Sequence, residues 1–334
     1  MLKTGFIGAG KTGTALAVRL SQKKWPVVAV YSRTPSSAYK LAGLAPNCRV
    51  CHTAQELADM AELVFLTTPD DVIGRVCGEV RWRKGQGVVH CSGAHSLDIL
   101  EPAKRLGAAV GSFHPLQTFA DVSQAIENLP GSTFALEGEE PLLAVLKELA
   151  HLLDGNWVEL KPGDKVLYHA AAVFACNYLV TLVKLALDLW RDFGVRPKEA
   201  TAALLPLVKG TVNNIAKIGL PDCLTGPVAR GDLGTIEKHL EALGARNPSL
   251  LRAYEELGLQ TIPIALAKGG VSQRKAEALR MLFGHTESFA DCHSEGVKRP
   301  KNLGRAKLQR PSGYRGDSSS RQVGTQNEEK RGRE

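Results

Sequence analysis

A β-prone run at the start of the chain, Lys3-Thr4-Gly5-Phe6-Ile7, closes into Gly8-Ala9-Gly10-Lys11-Thr12-Gly13 and opens into a helical stretch through Ala17, Leu20 and Gln22. Glycines at this spacing between a strand and a helix leave few folds open. Gly8 permits the tight turn, Gly10 lets the main chain approach a pyrophosphate, and Gly13 lets the helix pack closely on the strand. The N–H groups and dipole at the helix start then face phosphate oxygens. Residues 8 to 13 are therefore candidate dinucleotide-binding residues.

The following strand, Pro26-Val27-Val28-Ala29-Val30-Tyr31, ends in Ser32-Arg33-Thr34. An NAD site usually places Asp or Glu there for the ribose 2′-hydroxyl. A guanidinium flanked by two hydroxyls suits a 2′-phosphate instead, so NADP(H) is expected over NAD(H). Strands and helices continue to alternate. Thr53-Ala54-Gln55-Glu56 has capping-box spacing, and Leu63-Val64-Phe65-Leu66-Thr67 is a continuous apolar run of the doubly buried kind. Thr68-Pro69-Asp70-Asp71 starts a helix, and Gly87-Val88-Val89-His90 and residues 108 to 112 are further strands. This pattern predicts a doubly wound parallel sheet. Ligands of such sheets sit at the carboxyl ends of strands, which singles out Thr67 to Asp71 (Thr68 and Pro69 among them), Cys91 to Ser96 and Phe113 to Thr118.

Two of these strand ends carry protic side chains: His90-Cys91-Ser92-Gly93-Ala94-His95-Ser96, and Ser112-Phe113-His114-Pro115-Leu116-Gln117-Thr118. Hydride chemistry at a carbonyl or imine needs a proton donor and polar anchors at such a place. His114, made directional by the proline behind it, is the first candidate; capping its own strand is the plain alternative. Past Leu160-Lys161-Pro162-Gly163 the pattern becomes helical. Lys165, His169, Val173 and Asn177 recur every four residues along one helix face. Asn177, in so apolar a helix, is expected to be buried and to need a partner: substrate, cofactor or another helix. Arg230, in Gly226-Pro227-Val228-Ala229-Arg230-Gly231-Asp232, suits a substrate carboxylate or phosphate, or a local pairing with Asp232.

The 334 residues suffice for about two domains. Seven scattered cysteines make no disulfide framework and point to a reducing, cytoplasmic setting. Cys48-Arg49-Val50-Cys51-His52 has haem-attachment spacing but reads better as the short third strand, and no metal site is expected. Of the net charge of +8, the segment from Lys298 to Glu334 carries +7, so the body is almost neutral and a built-in nucleic-acid face is not expected. The tail should be disordered. The apolar run from Ala170 to Val183 falls short of a bilayer span and reads as a buried helix of a helical domain or a subunit interface.

Taken in order, the glycine turn, the run from His90, Ser112 to Phe119, Tyr168-His169-Ala170-Ala171 leading to Asn177, and Gly226 to Asp232 resemble the Rossmann-like oxidoreductases whose C-terminal region is domain of unknown function 2520. That family is similar in layout to the 6-phosphogluconate dehydrogenase, β-hydroxyacid dehydrogenase and pyrroline-5-carboxylate reductase superfamily. The resemblance implies an NADP-binding domain, an all-helical C-terminal domain, and homodimers formed through the helices. β-Hydroxyacid dehydrogenases place a catalytic Lys and Asn four residues apart on the first long helix, whereas Lys165 is followed here by His169, with Asn177 two turns further.

The expected organisation is a Rossmann domain over 1–160, an all-α substrate and dimerisation domain over 161–288, and a tail over 289–334. The expected activity is NADP(H)-dependent hydride transfer to or from a small carbonyl, imine or hydroxy compound in a cleft between the domains. His114 or His169 would handle the proton, with Lys165, Ser92, Gln117 and Asn177 at the substrate and Arg230 on an anionic group. A non-catalytic dinucleotide-binding sensor is the alternative. Neither membrane nor nucleic acid is expected as a partner.

Overall fold

The computed structural model describes residues 1–284. It contains two compact units, Met1–Asn213 and a second beginning at Asn214. The expected boundary at 160 is not where the chain divides: the helix starting at Lys165 is rooted in the sheet through that residue's side chain and belongs to the first unit.

The first unit is built on one eight-stranded sheet. Its strands are β1 (Thr4–Ile7), β2 (Val27–Tyr31), β3 (Arg49–Val50), β4 (Leu63–Leu66), β5 (Gly87–His90), β6 (Ala109–Pro115), β7 (Thr133–Gly138) and β8 (Asn156–Glu159). They lie in the order β3-β2-β1-β4-β5-β6-β7-β8, and all neighbours are parallel except β6 and β7. The first six positions reproduce the doubly wound order, with the crevice at the switch between β1 and β4. β7 and β8 were not anticipated; they extend the sheet by two strands past β6.

Helices α1 (Lys11–Gln22), α2 (Pro35–Leu44), α3 (Ala54–Met60), α4 (Ile73–Glu79), α5 (Glu101–Arg105), α6 (Val122–Asn128) and α7 (Leu142–Leu152) cover the sheet. The expected cap of α3 is present, with Thr53 Oγ1 accepting from Glu56 N at 3.0 Å. Both faces of the sheet are buried, as continuous apolar strands require. On one face Phe6, Phe65, Phe113 and Phe134 form a row across the strands, with neighbouring ring centroids 4.5 to 5.9 Å apart. On the other, Leu57, Leu66, Ile73, Val88 and Leu100 pack together.

Two long helices complete the first unit: α8 (Lys165–Arg191) and α9 (Pro197–Ile218), in which the boundary with the second unit falls. α8 runs for 27 residues with a mean hydropathy of 1.8 over its most apolar window, and by length and composition it could cross a membrane. The expectation of a buried helix too short to span therefore needs correcting. None of that window is buried, and Asn177 is exposed rather than enclosed. Residues Val173–Asn177 form a π-turn inside α8, a feature often found at functional sites.

The second unit is helical: α10 (Pro227–Arg230), α11 (Leu233–Arg246), α12 (Pro248–Ala267) and α13 (Gln273–Gly284). Asp232 caps α11 by accepting from Thr235 N at 3.1 Å. Ile236, Ile262, Ala276, Leu279 and Phe283 form the core. A Cβ on Gly258 would collide with the Phe283 ring, so glycine there is what lets α12 and α13 approach. The expected tail over 289–334, and the last residues of the expected helical domain, lie outside the described residues.

Candidate functional site

The carboxyl ends of β1, β2 and β4 surround a cavity of about 630 Å³. Its floor is the glycine turn. Gly8 has φ +113, and a Cβ there would meet Thr67 O at 2.6 Å, so only glycine fits. A Cβ on Gly13 would reach Gly8 O at 2.6 Å, in keeping with its close-packing role. Gly10 faces open space, with its nearest neighbour, Thr67 O, 4.0 Å from a built Cβ. Thr67 Oγ1 locks the turn by donating to Gly8 O at 2.7 Å. No side chain caps α1 and no acid stands in its first turn, which leaves its leading N–H groups to an outside acceptor.

Of the residues expected at the cofactor, Gly8, Ala9, Gly10, Ser32, Arg33, Thr34, Thr68 and Pro69 line this cavity, whereas Lys11, Thr12 and Gly13 form the helix turn behind it. Ser32 Oγ accepts from Thr34 N at 3.2 Å, and Arg33 is exposed at the rim. The Thr68 hydroxyl is buried without a hydrogen-bond partner among the described residues. Arg75, on α4, also lines the cavity, paired with Glu79 at 3.8 Å. Sequence reading missed Arg75, because nothing in a helix pattern says which exposed cation faces a distant strand end.

Beside this cavity, at the ends of β5 and β6, a second group of side chains converges on Gly93. A Cβ on Gly93 would lie 2.8 Å from both His114 Nε2 and His169 Cδ2. Two imidazoles thus pass over one glycine backbone, which no other residue would allow unshifted. His114 Nδ1 is 2.7 Å from the Tyr168 hydroxyl, with the rings edge to face. Tyr168 was not among the site residues expected from the sequence, although the Tyr168-His169-Ala170-Ala171 motif contains it.

Lys165 roots α8 beneath these groups. Its ammonium is 1% exposed; it donates to Ser92 O at 2.6 Å and to Ser112 Oγ, and lies 3.7 Å from Glu137 Oε2 on β7. Burial lowers the Lys165 pKa, with Glu137 opposing, and burial raises that of Glu137. So enclosed an ammonium holds three strand ends together and places Tyr168 and His169, one turn on, against His114. Burial, then Lys165 and His169, push His114 down to about 4, so the ring is neutral at pH 7. Burial holds the Tyr168 phenol up at about 12. His90, fully buried, is pushed down to about 3 by burial first and Lys165 second, and its Nδ1 accepts from Ser92 N at 3.1 Å.

The two groups are joined. Asp70, between the cavity residues Pro69 and Asp71, accepts from Ser92 Oγ at 2.7 Å. The Ser92 hydroxyl also accepts from Ala94 N and His95 N, so it shapes the Gly93 turn rather than standing free for a substrate. Gln117 is likewise engaged, donating to Asn128 O at 3.1 Å and accepting from Thr118 N at 2.9 Å. Asn177 is two turns beyond His169 on an exposed stretch of α8, and Arg230 is exposed at the end of α10 in the second unit. Cys48 and Cys51 flank β3 as expected, and burial, then Cys51, push the Cys48 thiol up to about 12. Among the described residues no His, Cys, Asp and Glu cluster could hold a metal ion.

Comparison with known proteins agrees with this geometry. Residues 1–115 match the Rossmann-like domain family, and residues 132–261 match the domain of unknown function DUF2520. The chain is a Rossmann-like, DUF2520-containing protein. A candidate NADP oxidoreductase from Bacteroides fragilis, BF3122, is similar at 27% identity and a TM-score of 0.62, over 78% of this chain and 97% of that one. Protein TM1727 from Thermotoga maritima is similar at 26% identity and a TM-score of 0.65, over 80% and 99%. A pyrroline-5-carboxylate reductase from Streptococcus pyogenes, at 18% identity and a TM-score of 0.54 over 84% and 98%, shares the fold. No curated protein shows a significant match to the chain.

Proposed function

We propose that this Rossmann-like, DUF2520-containing protein is an NADP(H)-dependent oxidoreductase acting on a small carbonyl, imine or hydroxy compound. The observation that carries the reading is the Asp70–Ser92 hydrogen bond, which ties the glycine-floored cavity to the His114, Tyr168 and His169 cluster. The cavity fits a dinucleotide by its own chemistry. Its glycines clear the backbone for a pyrophosphate, α1 offers uncapped N–H groups, and the buried Thr68 hydroxyl lacks a partner among the described residues. Arg33, with no acid among the three residues after β2, favours the 2′-phosphate of NADP(H) over the bare hydroxyl of NAD(H). The Bacteroides fragilis relative, described as an NADP oxidoreductase candidate, supports the same reading.

When bound, reduced nicotinamide supplies hydride. The chain's own residues bind, orient and handle the proton. Gly8, Gly10 and the start of α1 hold the phosphates, Arg33 the 2′-phosphate, and His114 or His169 the proton. Lys165 and Ser92 position these imidazoles. A non-catalytic sensor would need the cavity but not two imidazoles and a phenol assembled beside it.

We further propose that a second copy of this chain covers α8 and α9. Phe174, Val180 and Leu207 are each about two-thirds exposed or more, and surface of that kind marks an interaction face. Lys165, Tyr168 and His169 commit the start of α8 to the sheet, and Lys184, Asp188 and Arg191 charge its far end. These features favour a protein partner over lipid.

The cofactor reading is tested by titrating NADPH and NADH side by side into the protein and into Arg33→Asp. Tighter binding of NADPH, with the preference lost or reversed in the variant, is expected. Equal binding of both nucleotides by both proteins removes Arg33 from the site, and no binding of either removes the oxidoreductase reading.

A further inference from the structure

The chemistry at Gly93 goes one step further, and it rests on the NADP(H) reading above. We propose that Tyr168 and His114 form a proton relay that protonates the oxygen of a ketone or aldehyde substrate, which makes the protein a carbonyl reductase rather than an imine reductase. The Tyr168 hydroxyl lies 2.7 Å from His114 Nδ1, and the relay takes the phenol as the donor. In that arrangement the neutral ring carries its proton on Nε2. Nε2 is the atom above Gly93, and among the described residues it has no hydrogen-bond partner.

The step balances. With hydride supplied by bound NADPH, the carbonyl carbon would gain its C–H bond while the π pair moves to oxygen. That oxygen takes the Nε2 proton of His114, and Nδ1 takes the phenolic proton of Tyr168. The half-buried phenoxide regains a proton from water, leaving alcohol and NADP⁺. His114 is neutral near pH 7, held down to about 4, so a preformed imidazolium is not the acid. The Tyr168 phenol, held up at about 12 by burial, is still a stronger acid than an alcohol. Proton flow from phenol to alkoxide is thus downhill.

The surroundings select against the alternative. An imine reaches hydride transfer as the iminium cation, which already holds its proton and has no use for a donor. It would also enter beside Lys165, whose charge His114 already feels. In this scheme His114 is the catalytic acid and Tyr168 acts through it, as a positioning residue that also refills the proton.

The experiment has two arms. In ¹⁵N-histidine-labelled protein, long-range ¹⁵N–¹H spectra should show His114 with an unprotonated Nδ1 and a protonated Nε2; Tyr168→Phe should relax this to a mixture. A proton found on Nδ1 in the parent protein overturns the relay whether or not any cofactor binds. In the second arm, NADPH oxidation is followed with aldehydes and ketones and, separately, with cyclic imines. Turnover of carbonyls above imines is expected, with Tyr168→Phe and His114→Asn lowering it about 10²–10⁴-fold at unchanged NADPH affinity. In Tyr168→Phe the loss should be in kcat, with an altered pH profile. Preference for imines overturns the substrate class, and a Tyr168→Phe rate within twofold overturns the relay. If neither panel turns over while NADPH binds, the carbonyl assignment falls; if NADPH does not bind, the cofactor reading itself fails.

Discussion

Replacing Lys165 by Met tests whether one buried ammonium organises the site. Met keeps the length and apolar stem of the side chain but removes its charge and its hydrogen bonds to Ser92 O and Ser112 Oγ. Glu137, 5% exposed, then loses the cation 3.7 Å away. Breaking a buried pair from one side costs about 3–5 kcal/mol, chiefly because the remaining charge is stranded. The matching change Glu137→Gln removes that charge, so the double variant should be more stable than Lys165→Met by ~2 kcal/mol. The four proteins are compared by urea unfolding followed by circular dichroism, giving a double-mutant cycle. A coupling well above the ~0.5 kcal/mol scatter expected of independent sites is predicted. A Lys165→Met cost under about 1 kcal/mol, or two additive single effects, would refute the argument that the sheet and α8 are joined through this pair.

Stability should also fall as the solution is acidified below the ordinary histidine range. His114 and His90 are held at about 4 and about 3, below the ordinary histidine value of 6.5, so between those values the unfolded chain binds protons that the folded one refuses. For His114 alone the span from 6.5 to about 4 is worth ~3 kcal/mol at 1.36 kcal/mol per pH unit. The unfolding midpoint should drop from pH 7 to pH 4.5 less steeply in His114→Asn; an equal drop contradicts the assignment. The proposed covering of α8 and α9 predicts a sedimentation mass of twice 35.9 kDa, falling to one chain when Val180 and Leu207 are both replaced by Asp. A monomeric parent protein would exclude a second copy as the covering partner.

Much of this molecule is legible in the chain because the forces involved are local. The turn from Gly8 to Gly13 states its own backbone requirements, and the apolar runs at Leu63 and Gly87 can only be strands buried on both faces. The Thr53 and Asp232 caps lie next to the helices they start. The fold class and the glycine-lined cavity follow from such features, as does the placement of His114 at a strand end. β7 and β8 escaped because an antiparallel return beside β6 is set by pairing across the sheet, not by residue pattern.

The site beyond His114 is decided by distance in space. Lys165 and Asn177 look equivalent on a four-residue helix repeat, yet one is sealed under the sheet and the other is exposed, because burial depends on what stands opposite each residue. Glu137, on a strand the sequence does not announce, is the partner that allows an ammonium to be buried near Ser112. Ser92 and Gln117 read as free polar groups, but tertiary contacts with Asp70 and Asn128 use up their hydrogen bonds. A sequence can declare which backbone conformations and which buried faces it needs. Only the folded chain determines which polar groups find each other, since those pairings join residues 11 to 73 positions apart, as in Gln117–Asn128 and Ser92–Lys165.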